Sequence, residues 1–259
     1  MATGGLAWGL YEAAWVRLQV VPLPLPGLPA ELSGLRIAHL ADFHLGTPSP
    51  GTRSVERGAD WVAERQPDLV VITGDLLARP AGAARLRAIV ERLPPVYAVL
   101  GNHDFADSLD PFSKPVGEVD LGRGTLLMDE AVTLEVRGRR VQLVGVDPRT
   151  YMRYRSRPWE LADPDADFRI LLCHFPRVVD LVPEGVFDLV LAGHMHDGQI
   201  CLPYGRGKIR LAHPWAPYNR GVYRRPGATL HVSPGLGTTF LPLRFFARPE
   251  ATELILESA

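Results

Sequence analysis

Five short apolar runs, each ending in a cluster of aspartate, asparagine or histidine, constrain this chain more than any other feature. Leu35 to Leu40 ends at Ala41-Asp42-Phe43-His44, and Leu69 to Thr73 ends at Gly74-Asp75. Val96 to Leu100 ends at Gly101-Asn102-His103-Asp104, and Phe168 to Leu172 ends at Cys173-His174. Phe187 to Leu191 ends at Ala192-Gly193-His194-Met195-His196. Runs of this length, rich in Val, Ile and Leu, suit strands buried on both faces. Helix-like segments, Val55 to Glu64 and Ala83 to Leu93, separate the first three runs. Strand–helix–strand repetition predicts a largely parallel sheet with right-handed crossovers. Further along, Thr125 to Met128, Val132 to Val136 and Val141 to Val146 are closely spaced, with Arg137-Gly138-Arg139 at a hairpin-like turn. Ile209 to Ala212, Thr229 to Val232 and Glu253 to Leu256 read as additional strands. With 259 residues, 46% of them hydrophobic, the chain can fill one sizeable core. The expected architecture is α/β: a four-layer αββα sandwich of two mixed β-sheets flanked by helices.

The polar residues fall where such a fold binds ligands, at the C-terminal ends of the strands. One aspartate or histidine there means little, but five such sites in one chain are hard to ascribe to chance. They bring Asp42, His44, Asp75, Asn102, His174, His194 and His196 towards one small volume, with His103 and Asp104 beside them. Without cations the carboxylates repel and the buried polar groups are costly. Divalent metals solve both problems. Imidazoles together with carboxylates suit borderline ions such as Mn²⁺, Fe²⁺ or Zn²⁺ and argue against the all-oxygen shells of magnesium and calcium. There are no paired thiolates for a structural zinc site. The two cysteines, Cys173 and Cys201, lie far apart, so reduced thiols are the default, and Cys173 reads as a buried inert thiol. A net charge of −1 gives no global basic field for nucleic acid.

In this order the clusters read D-x-H, G-D, G-N-H-D, H and G-H-x-H, and the chain resembles the calcineurin-like metallophosphoesterase superfamily. Within it, Leu35 to Gly46, Ala192 to Ile200, Ser233 to Gly237 and Arg244 are similar to a bacterial phosphodiesterase branch related to UDP-2,3-diacylglucosamine pyrophosphatase. The resemblance implies two divalent metals at the strand ends. One would be held by Asp42, His44 and His196, the other by Asn102, His174 and His194, with Asp75 bridging. It implies hydrolysis of a small phosphodiester or a lipid-linked pyrophosphate by metal-activated hydroxide attack on phosphorus. His103 is left to bind phosphate or protonate the leaving oxygen, and Asp104 to orient and charge it. Two departures from the branch stand out. Ala41 replaces the usual serine, and Asp197 replaces the usual glycine, which would set an extra carboxylate beside His196. The rival functions are a nuclease of the same superfamily and a metal-stabilised binding protein without catalysis.

Residues 1–34 read as a lead-in and residues 35–259 as the phosphoesterase domain. Leu6 to Val21 is mostly apolar but is interrupted by Glu12 and Arg17, too short a run to span a bilayer. No secretory leader is expected, since a basic segment and a small-residue cleavage site are lacking, and a cytoplasmic protein follows. If this stretch is helical, Trp8, Tyr11 and Trp15 share a face. That face either packs on the core or lies on a membrane surface as a peripheral contact. Leu23 to Pro29 reads as extended rather than helical. Arg149, Arg153, Arg155 and Arg157, interleaved with Tyr151 and Tyr154, form either a solvated loop or a substrate-facing cap. His39, His213 and His231 read as structural.

Overall fold

The computed structural model describes residues 2–105 and 107–259; Met1, the first residue of the expected lead-in, lies outside them. The elements in chain order are α1 (Ala2–Ala13), β1 (Arg17–Leu25), β2 (Arg36–Leu40), α2 (Gly51–Arg65), β3 (Leu69–Thr73), α3 (Ala83–Arg92), β4 (Val96–Val99) and β5 (Thr125–Leu126). They continue with β6 (Glu130–Val136), β7 (Arg139–Gly145), α4 (Pro148–Met152), β8 (Phe168–Leu172), β9 (Leu189–Ala192), β10 (Cys201–Tyr204), β11 (Gly207–Arg210), β12 (Gly221–Arg225), β13 (Ala228–Val232) and β14 (Glu250–Ser258). Two six-stranded sheets result, ordered β1-β14-β2-β3-β4-β5 and β12-β13-β9-β8-β7-β6, with β10 and β11 as a separate hairpin. β2 to β5 run parallel, as do β7, β8, β9 and β13. Antiparallel pairs set β14 beside β2 and put β6 and β12 at the edges of the second sheet, so both sheets are mixed.

The alternation of buried positions explains the layers. Ile37, Val71, Leu254 and Leu256 from the first sheet meet Leu143, Ile170, Leu172 and Leu191 from the second in one continuous core. The opposite face of the first sheet is covered by α2 and α3 through Val55, Ala59, Val62, Leu86, Ile89 and Val90. These apolar positions recur three or four residues apart, the spacing of one helix face. Helix α2 stops at Gln66, whose left-handed backbone (φ 47°) returns its N–H to the Val62 carbonyl. The second sheet has a thinner outer cover: α4, a helical turn at Pro176–Asp180, and loops carrying Phe187 and Tyr218. Among the described residues no helix is long and apolar enough to cross a membrane.

The lead-in carries a strand of the first sheet. Arg17–Leu25 forms β1 and pairs in parallel with β14 along its whole length. Pro22 and Pro24 lie within this strand, the latter in the stretch expected to be extended. Both are exposed and alternate with buried Leu23 and Leu25, and β1 is an edge strand, so its outer donors are dispensable. Helix α1 precedes it, and its lone charged residue, Glu12, is buried: the carboxylate accepts from Trp8 Nε1 (2.8 Å) and from the backbone N–H groups of Phe246 (3.0 Å) and Ala247 (2.7 Å).

One polar contact joins the two sheets through the core. His39 on β2 and His231 on β13 face each other Nδ1 to Nδ1 at 2.7 Å, and His39 Nε2 lies 2.9 Å from Thr73 Oγ1. Burial depresses both imidazoles, His39 well below the usual histidine value and His231 to about 4. A depressed folded-state pKa means that the unfolded chain takes up protons the folded pair refuses. Stability is therefore full above pH ~6.5 and falls as pH drops towards 4, by about 3 kcal/mol from His231 alone. Denaturant titrations in chelator at pH 7 and pH 4 test this. The double variant His39→Leu/His231→Leu should lose markedly less stability across that range, and an identical loss would assign the acid lability elsewhere.

Candidate metal centre

The strand ends of both sheets converge. Asp42 and His44 follow β2, Asp75 follows β3, Asn102 follows β4, His174 follows β8, and His194 and His196 follow β9. Five of these seven, Asp42, His44, Asp75, His194 and His196, have left-handed backbone conformations with φ between 47° and 72°. Non-glycine residues in that region cost about 1–3 kcal/mol each, and the surrounding chain must hold them there. The neighbouring glycines have a steric cause. A Cβ on Gly101 would lie 2.1 Å from Asp75 Oδ1, and one on Gly74 would lie 2.4 Å from His174 Nδ1. The backbone thus approaches the donor side chains closer than any other residue permits.

Two donor groups share one residue. Asp42, His44, Asp75 and His196 bring donor atoms within 4.8 Å of one another, and so do Asp75, His174 and His194. His44 Nε2 lies 3.0 Å from His196 Nε2 and 3.5 Å from Asp75 Oδ2. His174 Nε2 lies 3.3 Å from Asp75 Oδ2, 3.1 Å from Asn102 Oδ1 and 3.1 Å from His194 Nδ1. Burial holds His44 at about 3, and His194 and His196 well below the usual value, so these rings are neutral, the state a ligating imidazole requires. Burial would also depress His174, but the Asp75 carboxylate overrides it and holds the ring at about 9. The field that favours a proton at that nitrogen also favours a metal cation. Burial, with Asp75 close by, pushes Asp42 up to about 7, a cost that a cation relieves. The donor set therefore fits divalent ions of the nitrogen- and oxygen-binding type.

The residues around these donors depart from expectation in two places. Asp104 does not touch the His103 ring. Its carboxylate accepts from the backbone N–H groups of Leu77 (2.8 Å), Gly101 (2.9 Å) and Leu76 (3.2 Å), tying the loop after β4 to the loop after β3. The His103 ring is instead set by Ser113 Oγ at 2.7 Å from Nδ1, with Asp110 Oδ2 4.0 Å from the same nitrogen and Thr239 Oγ1 3.4 Å from Nε2. A carboxylate directly after the histidine turns away because the backbone forms a helical turn there, at His103–Phe105. Asp197 is the second departure. Its buried carboxylate pairs with Lys208, with Arg210 Nε at 3.1 Å and with Arg220 Nη1 at 3.7 Å, so it anchors the β10–β11 hairpin instead of joining the donors. Arg244, fully buried, donates to His196 Nδ1 at 3.1 Å and to the carbonyls of Gly237, Pro234 and Ala247, which locks that ring.

The remaining candidates divide. Cys173 points into the apolar cover of the second sheet, and burial pushes its thiol up, as expected of an inert residue. The arginine-rich segment splits: Arg149 pairs with Asp147 (2.6 Å) and lies over the Phe105 ring, while Arg153, Arg155 and Arg157 are exposed. Tyr151 stacks on Phe175, whose ring is 4.5 Å from that of His194. His213, read from sequence as structural, is exposed and lies 5.2 Å from the His194 ring. With Tyr151, Phe175, His194 and Trp215 it lines a cavity of about 350 Å³.

The model of the calcineurin-like phosphoesterase family matches residues 35–198, the span from β2 past the last donor. The uncharacterized metallophosphoesterase YkoQ of Bacillus subtilis (strain 168) is 28% identical over 235 residues, 87% of this chain and 84% of the relative. Phosphodiesterase YaeI of Escherichia coli (strain K12) is 26% identical over 232 residues, 85% of this chain and 82% of the relative. A transmembrane protein with metallophosphoesterase domain from Danio rerio is 32% identical over 276 residues, 97% of this chain but 60% of that protein.

The close approach at Gly101 gives a direct test. Gly101→Ala should displace Asp75 and reduce bound divalent metal, read by elemental analysis after loading, to a small fraction of wild type. The circular dichroism spectrum should remain that of the folded protein. Undiminished metal content would show that the Asp75 carboxylate need not sit where it does.

Proposed function

The chain belongs to the calcineurin-like phosphoesterase family and is a metal-dependent phosphoesterase, and from that premise we propose that it is a dinuclear hydrolase of phosphodiester or pyrophosphate bonds. The observation that carries the proposal is the sharing of Asp75 between two donor groups. Asp42, His44 and His196 would hold one ion and Asn102, His174 and His194 the other, with the Asp75 carboxylate available to both. Mn²⁺, Fe²⁺ and Zn²⁺ are the ions this mixture of imidazole and carboxylate favours. Bound there, such ions supply Lewis acidity, which lowers the pKa of water and offsets phosphoryl charge.

The chain's own groups do the rest. His103 stands against the His44 ring, with ring centroids 4.6 Å apart, at the border of the donor cluster. We assign it phosphoryl binding and protonation of the leaving oxygen from Nε2. Ser113 fixes the other edge of the ring at Nδ1, and the Asp110 carboxylate stands 4.0 Å from the same nitrogen. Burial alone would raise the carboxylate's pKa, but hydrogen bonds from Phe240, Phe112 and Thr239 hold it below the usual carboxylate value. Asp104 acts as a positioning residue through the three backbone groups it holds. The cavity beside His194 gives room for the apolar part of a small phosphodiester or of a lipid-linked pyrophosphate.

Two outcomes test this. Asp75→Asn should lose both metals, because a neutral bridge cannot hold two cations; retention of a full metal complement would contradict the bridge. His103→Ala should keep its metals and lose turnover by about 10²–10⁴-fold, with the larger loss on alkyl diesters and the smaller on bis-p-nitrophenyl phosphate with Mn²⁺. Equal losses on both substrates would remove the general-acid role and leave phosphate binding alone.

A further inference from the structure

The face of α1 directed at solvent is apolar and aromatic. Leu6 is 55% exposed, Trp8 41%, Tyr11 56% and Trp15, just past the helix, 38%. The three rings touch, with centroids 5.8 Å apart for Trp8–Tyr11, 5.5 Å for Tyr11–Trp15 and 6.3 Å for Trp8–Trp15. The helix carries no basic residue, and its single acid, Glu12, is turned inwards and consumed by hydrogen bonds. A surface helix normally presents charge to water, so this one has the reverse arrangement. Leu18 and Val20 on the adjoining edge strand, at 39% and 41%, extend the same surface.

Beside the aromatic rings is a cavity of about 480 Å³. Its walls include Trp8, Trp15, Arg17, Arg206, Lys208 and Arg248, with Glu12 as its acid. Lys208 is partly engaged by Asp197, and Arg17 lies 3.8 Å from Glu250. Arg206 is exposed and has no ion-pair partner among the described residues. Arg248 donates to the carbonyls of Trp15 (3.1 Å) and Val16 (3.3 Å) and lies 3.6 Å from the centre of the Trp15 ring. Cations thus stand at the foot of an aromatic surface. Indole and phenol rings favour the headgroup level of a bilayer, and basic groups at that depth attract anionic lipid.

We propose that α1 and the cavity beside it form a docking site for an anionic phospholipid bilayer, with Leu6, Trp8, Tyr11 and Trp15 in the interfacial layer and a headgroup phosphate beside Arg206 and Arg248. The occupant follows from charge complementarity. An acidic protein could pair with the arginines but offers no apolar layer for the rings, and a second copy of this surface would set like charges against each other. The site lies outside the metal-binding machinery and does not depend on it.

Full-length protein sedimented with phosphatidylglycerol/phosphatidylcholine vesicles tests this, with tryptophan emission recorded alongside. Expected are co-sedimentation at low salt, a blue shift, and loss of binding at high salt and with phosphatidylcholine alone. Arg206→Glu should weaken binding more than the roughly fivefold expected for removal of one basic group. Leu6→Ser/Tyr11→Ser should abolish it, and both variants should keep wild-type turnover of bis-p-nitrophenyl phosphate. Protein that stays in the supernatant at low salt overturns the proposal, as does vesicle binding indifferent to these variants. Saturable binding of inorganic phosphate without vesicle binding would make the cavity a free-anion site. A blue shift on self-association without vesicles would assign the surface to a second copy. Either outcome contradicts bilayer docking.

Discussion

The placement of Asp75 governs the rest of the site. Its carboxylate is buried, accepts the backbone N–H of His103 at 2.9 Å, and lies within 3.5 Å of imidazole nitrogens from both sheets. In apolar surroundings a lone carboxylate of this kind would gain a proton. The histidines facing it reverse that, and the group is held well below the usual range even though burial pulls the other way. The ring paired with it, His174, comes from the second sheet, so the charge of one residue on the first sheet is satisfied by the other. The two layers must be assembled before the site exists.

That dependence explains features that are otherwise costly. Left-handed backbone at five donor residues is tolerated because each turn is cross-braced: Asp42 accepts the backbone N–H of His194 at 3.0 Å, and Asp104 ties three N–H groups of two loops. Arg244, with no solvent exposure, has its burial offset by carbonyls and by the His196 ring it orients. Deeper in the same core, the His39–His231 contact performs a related function, linking β2 to β13 through a neutral pair. The centre is strained locally and supported by hydrogen bonds that have no catalytic part of their own.

Much of this was legible in the residues. Apolar runs broken by Asp, Asn and His mark strand ends directly, because a buried strand has no other place for such groups. The five runs fall on β2, β3, β4, β8 and β9, and their donors meet. Side-chain direction was not legible. Asp104 and Asp197 each follow a candidate histidine in sequence, yet one braces backbone and the other pairs with Lys208, Arg210 and Arg220, which only the fold brings beside it. The same applies to Ser113 and Asp110, which lie in a loop without periodicity and reach His103 only through the fold. The extended reading of the Leu23–Pro29 stretch named no partner, so the pairing of β1 with β14 was not legible, and the inward turn of Glu12 depends on the Phe246–Ala247 backbone over two hundred residues away.

Whether one carboxylate organises two cation sites is tested most directly by anomalous diffraction from crystals of the Mn²⁺-loaded protein. Two peaks are expected about 3.5–4 Å apart, one against Asp42, His44 and His196, the other against Asn102, His174 and His194, both in contact with Asp75. A single peak, or two peaks of which only one touches Asp75, would contradict a bridging role for Asp75.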